Sequence, residues 1–186
     1  DVEAAVSGHD HEISHWLGRP HTTPESFRTV IGEWSAGWRN GTIANFVIES
    51  DADVVGWVEV RHRGPLGSVG DLSWTVFPSA RGRGLGTRAV RMLIDWAMSH
   101  PGQGGLGLTR VQTRIEPDNH SALRVASRAG LRREGTQRVA PGTGDRPDTT
   151  AYVVLARLAD DPDHAHEAAI DPRWAALTEL DTDTEK

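Results

Sequence analysis

Between residues 71 and 99 the hydrophobic pattern changes period, and the change falls across a turn containing Gly82, Gly84 and Gly86. Before the turn, Leu72, Trp74 and Val76 alternate with Asp71, Ser73, Thr75 and Phe77, the pattern of a strand whose two faces meet different surroundings. After Pro78, Leu85, Ala89, Val90, Leu93, Ile94 and Ala97 recur at helical spacing. A strand therefore feeds a glycine turn, and the turn feeds a helix. The first N–H groups of a helix lack partners within it and the helix dipole is positive there, so a phosphate gains hydrogen bonds and about 0.3–2 kcal/mol of electrostatic stabilisation. Glycines let the backbone close around such an anion. Taken alone, the cluster is equally an ordinary flexible turn.

Two nucleotide motifs fit these residues poorly. A P-loop requires lysine and then Ser or Thr after its last glycine, whereas Gly86 is followed by Thr87 and Arg88. A dinucleotide turn spaces its glycines differently and follows the first strand of a parallel sheet, whereas this turn follows an apparent hairpin. That hairpin pairs residues 45–49 with 54–61, both enriched in β-branched side chains. Upstream, Ile13, Trp16 and Leu17 have helical spacing, and Thr23-Pro24-Glu25 opens a second helix that ends at Asn40-Gly41. Downstream, the pattern predicts a strand over 109–116, a helix over 119–129 stopped by Gly130, and strands over 131–139 and 149–158. Strands and helices in this order predict one mixed sheet flanked by helices.

At 186 residues the chain suits a single domain. It has no cysteine, which removes disulfides, thiolate metal sites and a cysteine nucleophile. No run of about 18 apolar residues predicts a membrane span, and the lack of an apolar leader favours the cytoplasm. The net charge of -6 is concentrated in residues 159–186, an acidic tail with one short helical pattern at 172–180. Nineteen of the 20 basic residues are arginine, spread without a stripe, so nucleic acid is not an expected direct ligand. His9, His11 and His15, and separately His164 and His166, lack an obvious full ligand set, so no metal is expected.

The segment Arg81-Gly82-Arg83-Gly84-Leu85-Gly86 resembles the pyrophosphate motif Q/R-x-x-G-x-G/A of the GNAT acyltransferases. A second family segment is similar too, with Asn119 followed eleven positions later by Gly130. The resemblance covers residues 10–158 and is closest to the Rim-type branch, which acetylates protein N-termini and also includes small-molecule acetyltransferases. It implies an α+β GNAT fold over residues 1–158, with a mixed, mostly antiparallel, splayed sheet flanked by helices. The family's usual first strand has no counterpart here.

The resemblance also implies roles. Backbone amides of Gly82, Arg83, Gly84, Leu85, Gly86 and Thr87 would hold the pyrophosphate of acetyl-CoA, with Arg81 opening the turn. Thr75 and Val76 would pair with the pantetheine arm, and Asn119 would hydrogen-bond it, although Asn119 also suits a plain helix cap. Asp71 stands where Rim-type sequences place a glutamate and is the candidate base; its alternative is a strand-end carboxylate. The family's usual acid tyrosine is replaced by Ala126, leaving Ser121 as the candidate acid or water anchor, or else a first-turn structural residue. Trp34 and Trp38, four apart on the second helix, would line the acceptor cleft or simply pack. The implied reaction moves an acetyl group onto the amine of a protein N-terminus or a small molecule. The implied alternative is a noncatalytic acyl-CoA-binding relative. A homodimer is compatible with either.

Overall fold

The computed structural model describes residues 2–18, 23–62, 69–140, 142–143 and 148–162. The helical pattern at 172–180, most of the 141–148 connection, and His164 and His166 lie outside the described residues.

Six strands form one sheet: β1 (Ile43–Ser50), β2 (Asp53–His62), β3 (Val69–Val76), β4 (Arg110–Ile115), β5 (Arg132–Arg138) and β6 (Ala151–Leu158). Their order is β1-β2-β3-β4-β6-β5. Every pairing is antiparallel except β3 with β4, which run parallel and pair only at Val69, Gly70 and Asp71 with Arg110, Val111 and Gln112. Beyond Asp71 these two strands have no ladder partners in one another, so β3 carries an open edge over residues 72–76. The third strand begins two residues before its sequence expectation because Gly70 still has His62 of β2 as its partner.

Five helices flank the sheet: α1 (Val2–Ser7), α2 (His11–Leu17), α3 (Pro24–Arg39), α4 (Leu85–Met98) and α5 (His120–Arg128). The N-terminal region therefore holds two short helices. Gly8 separates them, and a side chain there would collide with Phe77, its Cβ falling 2.3 Å from the ring. Asp10 then caps α2 by accepting from the Ile13 N–H. Thr23 and Ser26 close a reciprocal capping box at the start of α3, with Pro24 in its first turn. Among the described residues, no helix is long and apolar enough to cross a membrane.

The alternation read along β3 separates two cores. Leu72, with Trp74 and Val76 beside it, joins Val90, Leu93 and Ile94 of α4, Val60 of β2 and Val111 of β4 in the main cluster. Phe77 joins a second cluster on the opposite face with Ala5, Ile13 and Phe27, against which Trp34 and Trp57 pack. The sheet is thus covered by α4 and α5 on one side and by α1 and α3 on the other.

Between β2 and β3 the backbones come unusually close at Gly56, where a Cβ would sit 2.2 Å from the Thr75 carbonyl oxygen. Neither backbone can yield without breaking the ladder that holds β3. Gly56→Ala is expected to cost about 1–3 kcal/mol by overpacking, read as a lowered midpoint in thermal unfolding. An unchanged midpoint would show that the ladder accommodates the methyl group.

Candidate functional site

The turn after β3 starts with a short 3-10 segment at Pro78–Ala80, and Gly82 and Gly84 then take left-handed torsions, with φ of 74° and 75°. A Cβ at either glycine would meet nothing within 4 Å, so conformation rather than space demands glycine there. Gly86 has a different reason: a Cβ would come 3.2 Å from Val76 Cγ2, so its lack of a side chain lets α4 start close to β3. Gly84 caps α4 without a side-chain bond, and Arg88 N–H is bonded to its carbonyl at 3.1 Å. The N–H groups of residues 85–87 accordingly have no acceptor inside the helix.

A cleft of about 290 Å³ opens at this turn. Thr75, Val76, Arg81, Gly82, Gly84, Leu85, Gly86, Thr87, Asn119 and Ser121 all line it, so most of the residues expected to meet a cofactor face one space. Residues not expected from the sequence complete it: Glu12, Ile13, Trp16 and Leu17 of α2 on one side, and Arg124 and Arg128 of α5 on the other. The two arginines stand four apart on one helix face, a spacing that could have been read in advance. A positive helix start, two arginines and an open strand edge suit a ligand that carries phosphate on an extended polar arm, and acetyl-CoA fits that description.

Asn119 caps α5: its Oδ1 accepts from Ala122 N–H at 3.1 Å and from Ser121 Oγ at 3.0 Å. The Ser121 hydroxyl proton is therefore directed at the cap, and the Asn119 amide nitrogen is the group left to donate elsewhere. Arg81 makes a different set of contacts. Its Nε donates to the Val76 carbonyl at 3.1 Å, and its two terminal nitrogens donate to Asp10 at 2.8 and 3.1 Å and to Glu12 at 2.6 Å. Burial would raise the Asp10 pKa, but the Arg81 hydrogen bonds, the Ile13 N–H and the Arg81 charge outweigh it and hold the carboxyl below its ordinary value. Arg83 points away from the cleft, bonding Asp51 Oδ2 at 3.2 Å and Ser50 Oγ at 3.3 Å.

Asp71 is not in the cleft. It occupies the last position at which β3 pairs with β4, at the apex where the two strands part, on the face shared with Ser73 and Thr75. Gln112 of β4 donates to its Oδ1 at 2.9 Å, and Gln112 in turn accepts from Arg110 Nε at 2.9 Å. Arg110 is held by a bidentate pair with Glu134 at 2.8 and 2.5 Å. The Arg110 hydrogen bonds keep the Glu134 carboxyl below its ordinary pKa. This chain fixes the Gln112 amide so that its donor side faces Asp71. On β2, directly across from β3, Glu59 is buried and paired with Arg61, which is itself the ladder partner of Asp71. Sequence reading missed Glu59 and Gln112 because alternation places a residue on a face without saying what else shares it.

Trp34 and Trp38 line a separate cavity of about 430 Å³ between α3 and the sheet, together with Phe27, Trp57 and Phe77. Trp34 packs edge-on against Phe27 with centroids 5.6 Å apart, while Trp38 is half exposed and meets Phe46. At the N-terminus, His9 bonds Ser14 Oγ at 2.9 Å and His11 stacks on His15.

Comparison with known proteins agrees with this geometry. The sequence profile described as the acetyltransferase (GNAT) domain matches residues 1–132. A kanamycin resistance protein of Rhizobium radiobacter is 36% identical over 81 residues, which is 44% of this chain and 65% of that protein. An aminoglycoside N(6')-acetyltransferase type 1 of Klebsiella pneumoniae is 36% identical over 81 residues, 44% of this chain and 35% of that protein. The similarity thus spans less than two thirds of either relative. In three dimensions the chain shares its fold with the ribosomal-protein-S5-alanine acetyltransferase of Vibrio fischeri, with a TM-score of 0.68 at 21% identity over 85% of this chain and 86% of that one. The phosphate-ready turn, the splayed sheet and the profile match converge on one assignment: the chain belongs to the GNAT acetyltransferase family, whose acyl donor is acetyl-CoA.

Proposed function

We propose that the protein transfers the acetyl group of acetyl-CoA directly to a primary amine of a small, amine-rich acceptor of the aminoglycoside class. The observation that carries the reading is the placement of two unlike groups around one splay. An anion-ready helix start lies at the far end of β3, and Asp71 lies at the apex on the opposite sheet face. Val76 lies five residue steps along the strand from Asp71, roughly 17 Å at the usual rise, so a group reaching the apex must ride on an extended arm. The similarity to aminoglycoside-modifying relatives supports the acceptor class.

Acetyl-CoA supplies an activated acyl carbon, and transfer forms a C–N bond while the C–S bond breaks. The N–H groups of residues 85–87 bind the phosphates, and Arg124 and Arg128 add positive charge beside them. The open edge of β3 holds the arm in line with the strand, helped by the Asn119 amide. Asp71, oriented by Gln112, takes the proton that the amine loses as the C–N bond forms. Ser121, which lines the cleft, is the hydroxyl proposed to protonate the departing thiolate, and must first give up its bond to Asn119.

Acetyl-CoA and CoA are expected to raise the unfolding midpoint, whereas ATP and NAD are not; a ligand at 100 times its dissociation constant adds about 2.7 kcal/mol. Equal shifts with all four would reduce the turn to a generic anion site. Asp71→Asn keeps an oxygen for Gln112 but removes the charge. With kanamycin as acceptor it is expected to lower kcat by roughly 10²- to 10⁴-fold while leaving acetyl-CoA affinity unchanged. An unaltered kcat would remove Asp71 from proton transfer. Wild-type protein that binds acetyl-CoA yet acetylates no amine in a panel of aminoglycosides and peptide N-termini would identify a noncatalytic relative.

A further inference from the structure

Arg81 opens the anion turn, yet four of the five N–H bonds of its guanidinium are already directed at the protein, one to Val76 and three to Asp10 and Glu12. All the carboxylate partners belong to the start of α2. That helix has seven residues and one buried side chain, Ile13, too little to hold a helix of this length in place unaided. Its other side chains Glu12, Trp16 and Leu17 nonetheless form a wall of the cofactor cleft. Charge makes the arrangement hard to exchange. Swinging Arg81 onto a bound pyrophosphate would leave Asp10 and Glu12 unpaired beside an anion, two repulsions created for one attraction.

We infer that Arg81 serves the cofactor through α2 and not through its own charge: it is a positioning residue that latches α2 across the turn, so that Ile13, Trp16 and Leu17 wall in the cofactor. Asp10 and Glu12 are the other half of the latch. The bidentate Arg81–Asp10 contact sets the angle of the helix as well as its distance, a task to which lysine is not suited. The inference rests on the cofactor proposed above, and extends it to three side chains with no assigned role.

The two possible roles of Arg81 predict opposite signs for one experiment. In the double variant Asp10→Asn, Glu12→Gln the helix start survives, because asparagine caps as well as aspartate. A direct phosphate ligand would be released by this change and bind acetyl-CoA more tightly. A latch would be broken. We expect the double variant to bind acetyl-CoA about tenfold more weakly than wild type by calorimetric titration in ~0.5 M salt, where the Debye length is about 4 Å and simple charge removal contributes little. Amide exchange over residues 11–17 should quicken, with residues 88–98 unchanged. Adding Arg81→Ala in that background should weaken binding no further. Equal or tighter binding by the double variant, a further tenfold loss on adding Arg81→Ala, or unchanged exchange in α2 would each overturn the latch. Should wild type fail to bind acetyl-CoA, the proposed function falls, and the exchange measurement still decides whether Arg81 holds α2.

Discussion

The whole site depends on where β3 and β4 stop pairing. Had the ladder continued past Asp71 and Gln112, the edge of β3 from residue 72 to 76 would be spent on β4, and no extended ligand could reach the apex from the turn. Stopping it there costs the sheet several interstrand bonds, and the molecule recovers rigidity elsewhere. On one side β3 keeps a full antiparallel register with β2, tightened at Gly56, where the chains approach more closely than any side chain would allow. On the other, β4 is held by β6 along its whole length. The opening is therefore framed by two firm edges, which is what a site needs if it is to hold a long arm in one line.

Much of this was legible in the sequence, and the reasons differ from place to place. The β3 to α4 transition announced itself because period, proline and glycines all change within a dozen residues. The two-core arrangement was implicit in the alternation of Leu72, Trp74 and Val76 with Phe77. Chain order could not reveal that Gly8 must pass over Phe77, 69 residues away, and so the helical spacing of Ile13, Trp16 and Leu17 gives no sign of the break between α1 and α2. The same blindness to distant partners hid the ion pairs of Arg81, which a motif presents only as the opening residue of a turn. Gln112 and Glu59 were invisible for a related reason. A strand pattern assigns faces, but the residues of four strands that meet around Asp71 are brought together only by register.

The two sheet faces also divide the chemistry. The α4 face is apolar across its middle and meets the glycine turn at its edge. The opposite face changes character along its length. Near Phe77 it is aromatic and covered by α1 and α3, whereas toward the other end Glu59, Arg61, Asp71, Gln112 and Arg110 make it polar. In the proposed reaction an amine approaching Asp71 would meet a surface already organised by paired charges, whose dipoles need not rearrange when a proton moves.

The contact between Arg83 and the β1–β2 hairpin has a consequence of another kind. Asp51 and Ala52 turn that hairpin with left-handed torsions, and the tip they form rests against the arginine. Position 83 is thereby tied to the length of a distant hairpin, whereas positions 82 and 84 answer only to their own torsions. In lineages where the hairpin gains or loses a residue, Arg83 should drift freely while the two glycines stay. Variation at 83 would then record the history of a neighbouring loop and say little about the ligand.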